Sequence, residues 1–144
     1  MTLSVKDLRD KYGLFSDGDF GAIANLFTSD AQYRQLDSGQ VALGREQIQG
    51  VMEGWRHFFG DSPRIENITI REAHALADEV EGAEQCFVVD FEGVGVYTNT
   101  FPGLEQVAPA QGQDVRVPIG ETVWVNAAGE FIRVDSTMNI SALK

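Results

Sequence analysis

The chain has 144 residues, 43% of them hydrophobic, and a formal net charge of −11 from 22 acidic and 11 basic residues. This length and hydrophobic content fit a single domain over residues 1–144 with one core. An acidic chain without a basic patch repels a phosphate backbone, which excludes nucleic acid as an expected partner. No apolar run approaches the ~20 residues of a membrane span, so we expect no membrane contact.

The content of cysteine and histidine also limits the chemistry that we expect. Cys86 is the single cysteine, so no disulfide can form within the chain, and we expect a reducing, cytoplasmic location. The N-terminus lacks the apolar core of a signal peptide. The two histidines lack metal-ligand spacing, and no phosphate loop, nucleophile elbow or dinucleotide fingerprint occurs. We therefore expect neither a metal nor a cofactor.

Two helices are predicted before residue 28. Ser4 and Asp7 have the spacing of a capping box and precede a helix over about residues 5–16, whose buried face includes Tyr12. Asp19 is a suitable N-cap for a second, short helix that ends near Phe27.

A third helix is predicted between Gly44 and Gly60, and it carries the broadest apolar face of the chain. Spacings of three and four place six large side chains on that face: Ile48, Val51, Met52, Trp55, Phe58 and Phe59. Such a face requires a large partner surface, and a curved sheet built from the remaining residues is the available candidate.

The strands are predicted mainly in the second half of the chain. A short strand over residues 31–36 places Tyr33 and Gln35 on one side, and later strands cover about residues 64–76, 84–98, 115–125 and 130–140. Helices followed by consecutive strands favour an α+β fold with a mostly antiparallel sheet. The connection over residues 98–114 is long for a hairpin, which leaves open whether it closes over a pocket as a lid.

Five segments resemble the nuclear transport factor 2-like superfamily, and within it the SnoaL-like polyketide cyclase and ketosteroid isomerase-like branch. They are G-D-F-G-A-I-A-N-L-F-T-S-D-A (18–31), L-G-R-E-Q-I (43–48), G-V-Y-T-N-T-F-P-G (95–103), G-Q-D-V-R-V-P (112–118) and G-E-F-I-R-V-D (129–135). The resemblance implies a cone-shaped α+β barrel, with three helices packed in a strongly curved sheet around a pocket. It also implies a homodimer through the outer face of the sheet. Because this fold hosts several kinds of enzyme and non-catalytic binders, it does not fix the function.

The resemblance also bears on single positions. Steroid isomerases of this fold place a catalytic aspartate where this chain has Gln35, and a glutamine cannot abstract a proton. SnoaL-like cyclases often have a histidine at the position of Tyr97 and use an aspartate of the last strand, to which Asp135 is the nearest match. Epoxide hydrolases of the fold use an aspartate–arginine–aspartate relay, for which Asp90, Arg133 and Asp135 supply the residue types.

Two carboxylates are candidates for acid–base chemistry, and each has a structural alternative. Asp90 interrupts an apolar run, so burial would raise its pKa; alternatively it shares a solvated face with Glu92. Asp135 alternates with Val134, which turns it outward unless a bulge exchanges the two sides of the strand. The catalytic candidates are Asp90, Asp135 and Tyr33. The candidate substrate-binding residues are Gln35, Met52, Trp55, Phe59, Tyr97, Trp124 and Met138.

These observations favour a small, cofactor-independent enzyme with an apolar pocket. The expected reaction is an acid–base cyclisation, isomerisation or dehydration of a hydrophobic polyketide- or steroid-like substrate. One alternative is a non-catalytic module of the same fold for small-molecule binding or dimerisation. A second alternative is an epoxide hydrolase that uses the Asp90, Arg133 and Asp135 relay.

Overall fold

A computed structural model of the chain describes residues 3–60, 63–97 and 112–138, except for the side chains of residues 56–58. The described helices are α1 (Val5–Asp17), α2 (Phe20–Ala24), α3 (Gly44–Phe59) and a 3₁₀ helix over His74–Glu79. The strands are β1 (Phe27–Gln35), β2 (Gln40–Leu43), β3 (Arg64–Glu72), β4 (Gln85–Val96), β5 (Asp114–Val125) and β6 (Phe131–Met138). Residues 98–111 lie outside the described residues. They include most of the long connection for which the sequence left open whether it closes over a pocket as a lid.

The six strands form one sheet in the order β2-β1-β6-β5-β4-β3. The neighbours β1 and β6 are parallel, and the other four pairs are antiparallel. The sheet is strongly curled without closing, and α1, α2 and α3 pack against its concave inner face. The prediction of an α+β cone with three helices in a curved, mostly antiparallel sheet is therefore confirmed. None of the described helices is long and apolar enough to cross a bilayer.

The predicted helix boundaries agree with the local hydrogen bonding at α1. The Ser4 hydroxyl accepts from the backbone N–H of Asp7 at 3.0 Å, and the Asp7 carboxylate accepts from the backbone N–H of Ser4 at 3.2 Å. These bonds form the predicted capping box. Gly18 ends the helix with φ of 74°, a left-handed conformation that glycine adopts without strain.

Between α2 and α3, the boundaries predicted from sequence periodicity differ from those of the structure. Asp19 caps α2 as predicted, but the helix ends at Ala24, and Phe27 begins β1 instead of closing the helix. Phe27 is still buried, because it packs edge-on against Phe131 of the neighbouring β6. Strand β2 was not predicted. It has four residues, and its three apolar residues are consecutive with only Ala42 buried, so the sequence shows no alternation typical of a half-buried strand.

The third helix approaches the inner face of β4 very closely, and two glycines permit this. Phe59, at the end of α3, is fully buried. A Cβ atom on Gly95 would lie 2.3 Å from the Phe59 carbonyl oxygen, and one on Gly93 would lie 2.8 Å from the Phe59 ring. The contact at Gly95 is with backbone, which cannot move aside without displacing the helix end. The packing of α3 in the cone therefore depends on the missing side chain at Gly95.

We predict that Gly95→Ala lowers the free energy of unfolding by about 1–3 kcal/mol, the usual cost of overpacking. The matched control is Gly50→Ala, on the exposed side of the same helix, where an added Cβ meets nothing within 4 Å. That change should stabilise the protein by about 0.5–1 kcal/mol, because alanine is the better helix former. Urea denaturation of both variants measures the difference. Equal stability of Gly95→Ala and the unmodified protein would contradict the close packing of α3 on β4.

Candidate functional site

A cavity of about 90 Å³ lies between the helices and the inner face of the sheet. Most of its wall is apolar and comes from Phe15, Ile23, Leu26, Phe27, Met52, Trp55, Ile65, Phe91, Ile119, Phe131, Val134 and Met138. The side chains with polar or charged groups in the wall are those of Lys11, Tyr12, Tyr33, Glu121 and Ser136. A mainly apolar wall with a few converging polar groups is typical of a small-molecule site.

Glu121 is the buried carboxyl of this cavity. It lies on β5, where alternate residues Val117, Ile119 and Val123 face the same inner side of the sheet. The strand pairing places it beside Ser136 of β6 on one side and Val89 of β4 on the other. Only 8% of Glu121 is exposed. Its carboxyl is in the apolar interior because its position in the alternation of β5 falls on the inner side.

Two tyrosines from different elements, α1 and β1, bind the Glu121 carboxyl. Tyr12 of α1 donates its phenol hydrogen to Oε1, and Tyr33 of β1 donates to Oε2, each over 2.6 Å. Tyr12 is oriented by its place on the buried side of α1 and by an edge contact with Phe91, at 5.6 Å between ring centroids. Hydrogen bonds to an ionised carboxylate contribute about 1.5–3 kcal/mol each, so this pair offsets part of the cost of burial.

Burial raises the pKa of Glu121 above its usual value of 4.5, because the ionised form loses its hydration. The hydrogen bonds from Tyr12, Tyr33 and Ser136 oppose this shift, since they favour the carboxylate. Burial and the adjacent Glu121 charge raise the pKa of both tyrosines well above 10, so they remain phenols that donate hydrogen bonds. The site thus combines a carboxyl that exchanges a proton more readily near neutral pH with two fixed donors.

Four of the residues predicted from sequence line the cavity. These are Tyr33, predicted as catalytic, and Met52, Trp55 and Met138, predicted as substrate-binding. Trp55 and Met52 come from the apolar face of α3, and Met138 comes from the inner side of β6. The structure brings them to one wall; their predicted roles remain predictions.

Three other predicted substrate-binding residues do not line this cavity. Phe59 and Tyr97 are buried in an adjacent cluster with Val115 and Val117, where Phe59 stacks on Trp55 at 5.8 Å between ring centroids. Gln35 is half-buried at the end of β1, beyond the cavity wall. Gln35 lies on the same side of β1 as Tyr33, as predicted. The cavity ends before it reaches Gln35.

Trp124 lies on the outer face of the sheet and not in the cavity. It packs with Cys86 beneath the 3₁₀ helix, and its indole N–H donates to the Leu76 carbonyl oxygen at 2.9 Å. The guanidinium of Arg133 lies over its ring, 4.9 Å from the centroid. Trp124 lies on the outer face because successive residues of a strand point to opposite sides and the neighbouring Val123 occupies the inner side.

Asp90 and Asp135, the two predicted bases, also lie on the outer face. Asp90 is exposed and stands beside Gly120 of β5. Asp135 is paired with two arginines: Arg34 Nε lies 3.1 Å from its Oδ1, and Arg133 Nη2 lies 2.9 Å from its Oδ2. The sheet separates all these groups from the cavity. The relay considered for epoxide hydrolysis, Asp90 with Arg133 and Asp135, would therefore have to work on the outer surface.

Glu121 was not among the residues predicted from sequence, although a signal for it existed. Val115, Val117, Ile119, Val123 and Val125 recur at every second position of β5, and Glu121 occupies the remaining position in that series. A lone acidic residue on the apolar side of a strand predicts a buried carboxyl. Tyr12 was placed correctly on the buried face of the first helix, but its partner is 109 residues away and could not be identified from local pattern.

Among the described residues, no group of three or more His, Cys, Asp or Glu side chains is arranged to hold a metal ion. In the same part of the chain, every buried side-chain nitrogen or oxygen has a hydrogen-bond partner. The buried polar groups around Glu121 in the described part of the chain therefore include no orphaned donor or acceptor.

No protein-family model matches the sequence, and no curated protein is significantly similar to it. Solved structures do match. A candidate polyketide cyclase from Xanthomonas campestris pv. campestris is 21% identical with a TM-score of 0.72, over 95% of this chain and 93% of that one. A candidate polyketide cyclase from Pseudomonas putida KT2440 is 20% identical with a TM-score of 0.72, over 96% of this chain and 93% of that one.

A candidate SnoaL-like polyketide cyclase from Jannaschia sp. CCS1 has higher identity, 24%, with a TM-score of 0.65 over 96% of this chain and 85% of that one. Identities at this level establish the shared fold and leave the activity open. The SnoaL-like fold that the resemblance implied is confirmed.

Proposed function

We propose that this protein is an isomerase or cyclase that acts on a small apolar carbonyl compound by proton transfer, with Glu121 as the base. The observation that carries the proposal is a carboxyl buried in the wall of an apolar cavity and bound by two phenols. The names of the structural neighbours, candidate polyketide cyclases and a candidate isomerase from Bacillus subtilis, support the same class of reaction.

The proposed reaction begins when the Glu121 carboxylate removes a proton from the carbon next to the substrate carbonyl. The electron pair of the broken C–H bond moves into the carbonyl group, which becomes an enolate. Once Glu121 carries the proton, its oxygens are weaker acceptors, and the Tyr12 or Tyr33 phenol can donate to the enolate oxygen instead. Stabilisation of that charge by fixed donors in an apolar site is the main source of rate acceleration in such reactions.

The second half of the reaction returns the proton. In an isomerisation, Glu121 gives the proton to a different carbon of the enolate, and the double bond moves without any net gain or loss of atoms. In a cyclisation, the enolate carbon attacks a second carbonyl carbon, and the proton of Glu121 passes to the new alkoxide. Both routes use the same base and the same donors, so the substrate decides between them.

A non-catalytic binding module is the second candidate, and one observation favours it. Both oxygens of Glu121 already accept a short hydrogen bond, so the carboxyl could serve only to join α1 and β1 to β5. In that case the cavity would hold a ligand without reacting with it, and Glu121 would matter for stability alone. A variant that lacks the charge of Glu121 but keeps its shape distinguishes the two candidates, because only the enzyme would lose a reaction rate.

We predict that Glu121→Gln reduces proton transfer about 100-fold or more, the usual contribution of a general base. A suitable probe is allyl methyl ketone, a slim unsaturated ketone whose conjugated isomer is followed by its ultraviolet absorbance. Exchange of the protons next to its carbonyl in D₂O, followed by NMR, measures the first step separately.

The matched control is Asp90→Asn, which makes the same chemical change on the exposed outer face. It should leave both rates unchanged. Asp135→Asn tests the other base predicted from sequence, with its stability measured in parallel because it pairs with Arg34 and Arg133. If Glu121→Gln keeps the full rate, or if the unmodified protein does not accelerate exchange, the enzymatic proposal is wrong and the binding module remains.

The acid limb of the pH–rate profile should depend on the tyrosines. Proton abstraction requires ionised Glu121, so the rate should fall as the pH drops through its raised pKa. Tyr33→Phe removes a donor that favours the carboxylate, which raises the pKa further, so the midpoint should move to higher pH. Tyr97→Phe, a buried tyrosine outside the cavity wall, is the control and should not move it. A midpoint that moves downward in Tyr33→Phe would contradict the assignment of the limb to Glu121.

A further inference from the structure

Lys11 lines the cavity and carries a charge that the proposed proton transfer does not use. Its neighbours at helical spacing on α1 are Leu8, which is fully buried, and Phe15, which also lines the cavity. Lys11 itself is half-buried. A half-buried lysine at an apolar edge usually packs its aliphatic stem on the apolar neighbours and keeps its ammonium group in water, and we infer this arrangement for Lys11 at the mouth of the cavity.

No carboxylate in the described part of the chain contacts the Lys11 ammonium group directly. Within the described residues no ion pair of 4 Å or less includes Lys11, whereas Lys6 on the same helix pairs with Asp10. Asp7 lies one turn before Lys11 and interacts with it at longer range, but its carboxylate accepts the Ser4 backbone N–H of the capping box. In a chain of net charge −11, a cation at the edge of an apolar cavity with no such ion pair among the described residues is available to an anionic ligand.

The size of the cavity limits which part of a ligand can lie inside. An apolar protein cavity of ~150 Å³ admits one benzene molecule. The present cavity, at about 90 Å³, is smaller. It accommodates a slim alkyl or alkenyl group, and any further part of the ligand must lie at the mouth. Lys11 is the cation that such an outer part would meet.

We propose that the ligand of this site is an apolar carboxylic acid, whose chain enters the cavity and whose carboxylate is bound by Lys11 at the mouth. The proposal narrows the substrate of the proposed enzyme to one chemical class. It rests on the proposed function only in assuming that the bound acid also reacts. The arrangement keeps the ligand's negative charge in water and away from the buried Glu121 carboxylate, which would repel it in the low-dielectric interior. The reacting carbonyl group would lie deeper along the chain, between the two charges.

The experiment compares octanoate with octanamide, which have the same chain and differ in charge. Binding is followed by tryptophan fluorescence, because Trp55 lines the cavity while Trp124 lies on the outer face. The unmodified protein should bind octanoate more tightly than octanamide. Lys11→Met should weaken octanoate binding about two- to fivefold, the range of a solvent-exposed ion pair, and leave octanamide binding unchanged.

Lys6→Met is the matched control, because it removes the same charge from the same helix at a site that does not line the cavity. It should leave the preference for octanoate intact. Equal loss in the Lys6 and Lys11 variants would show a general effect of net charge and would overturn the proposal. Equal affinity of the unmodified protein for the two ligands, or no binding of either, would overturn it as well.

Glu121→Gln separates this proposal from the proposed function. The preference for octanoate should persist in that variant, while proton exchange in allyl methyl ketone is lost. If the unmodified protein has the Lys11-dependent preference but does not accelerate exchange, the enzymatic function is wrong and the carboxylate site stands. If exchange depends on Glu121 but the Lys11 variant binds octanoate normally, the enzymatic function stands and the carboxylate site is wrong.

Discussion

A buried carboxyl bound by two phenols is the interaction on which the interior of this protein depends. Glu121 of β5 accepts from Tyr12 of α1 and from Tyr33 of β1, so one side chain joins the first helix to two separate strands of the sheet. The desolvation of a carboxylate costs several kcal/mol, and only a site with well-placed donors can contain one. The curl of the sheet provides this geometry, because β1 and β5 both flank β6 and converge on the concave side.

The charged residues on the two faces of the sheet have different surroundings. On the inner face, Glu121 is surrounded by apolar groups, and burial raises its pKa. On the outer face, Asp135 is neutralised by Arg34 and Arg133, and Arg133 also covers the ring of Trp124. Asp135 is held by two arginines outside the cavity, whereas the Glu121 carboxyl is bound by neutral phenols in the cavity wall, where a ligand can reach it. This contrast is why Glu121, and not Asp135, is the base in our proposal.

Periodicity was sufficient to predict most of the fold. The capping box at Ser4, the apolar face of α3 and the strand pattern after residue 64 are local signals, and the structure agrees with them. The early start of β1 at Phe27 was missed because this residue pairs with the distant Phe131 of β6. Strand β2 was missed because it has only four residues, pairs with β1 alone at the edge of the sheet and is mostly exposed. The site was harder to predict. Trp124 was predicted by residue type, although the neighbouring Val123 takes the inner side of β5. Asp135 remained a candidate because a bulge could exchange the two sides of β6, but Val134 and Ser136 take the inner side and Asp135 lies outside. The register of Glu121 could have been read from the apolar series around it in β5.

The most direct test of the buried carboxyl is an NMR titration of the Glu121 side chain, with ¹³C-labelled glutamate and assignment from the Glu121→Gln spectrum. We expect the carboxyl carbon to titrate with a midpoint above 4.5, the usual value for glutamate. A carboxylate with a raised pKa is a stronger base than an ordinary glutamate, which suits the proposed proton abstraction. A midpoint at or below 4.5 would show that the hydrogen bonds from the phenols outweigh burial, and it would contradict the account of Glu121 as a base strengthened by the apolar cavity.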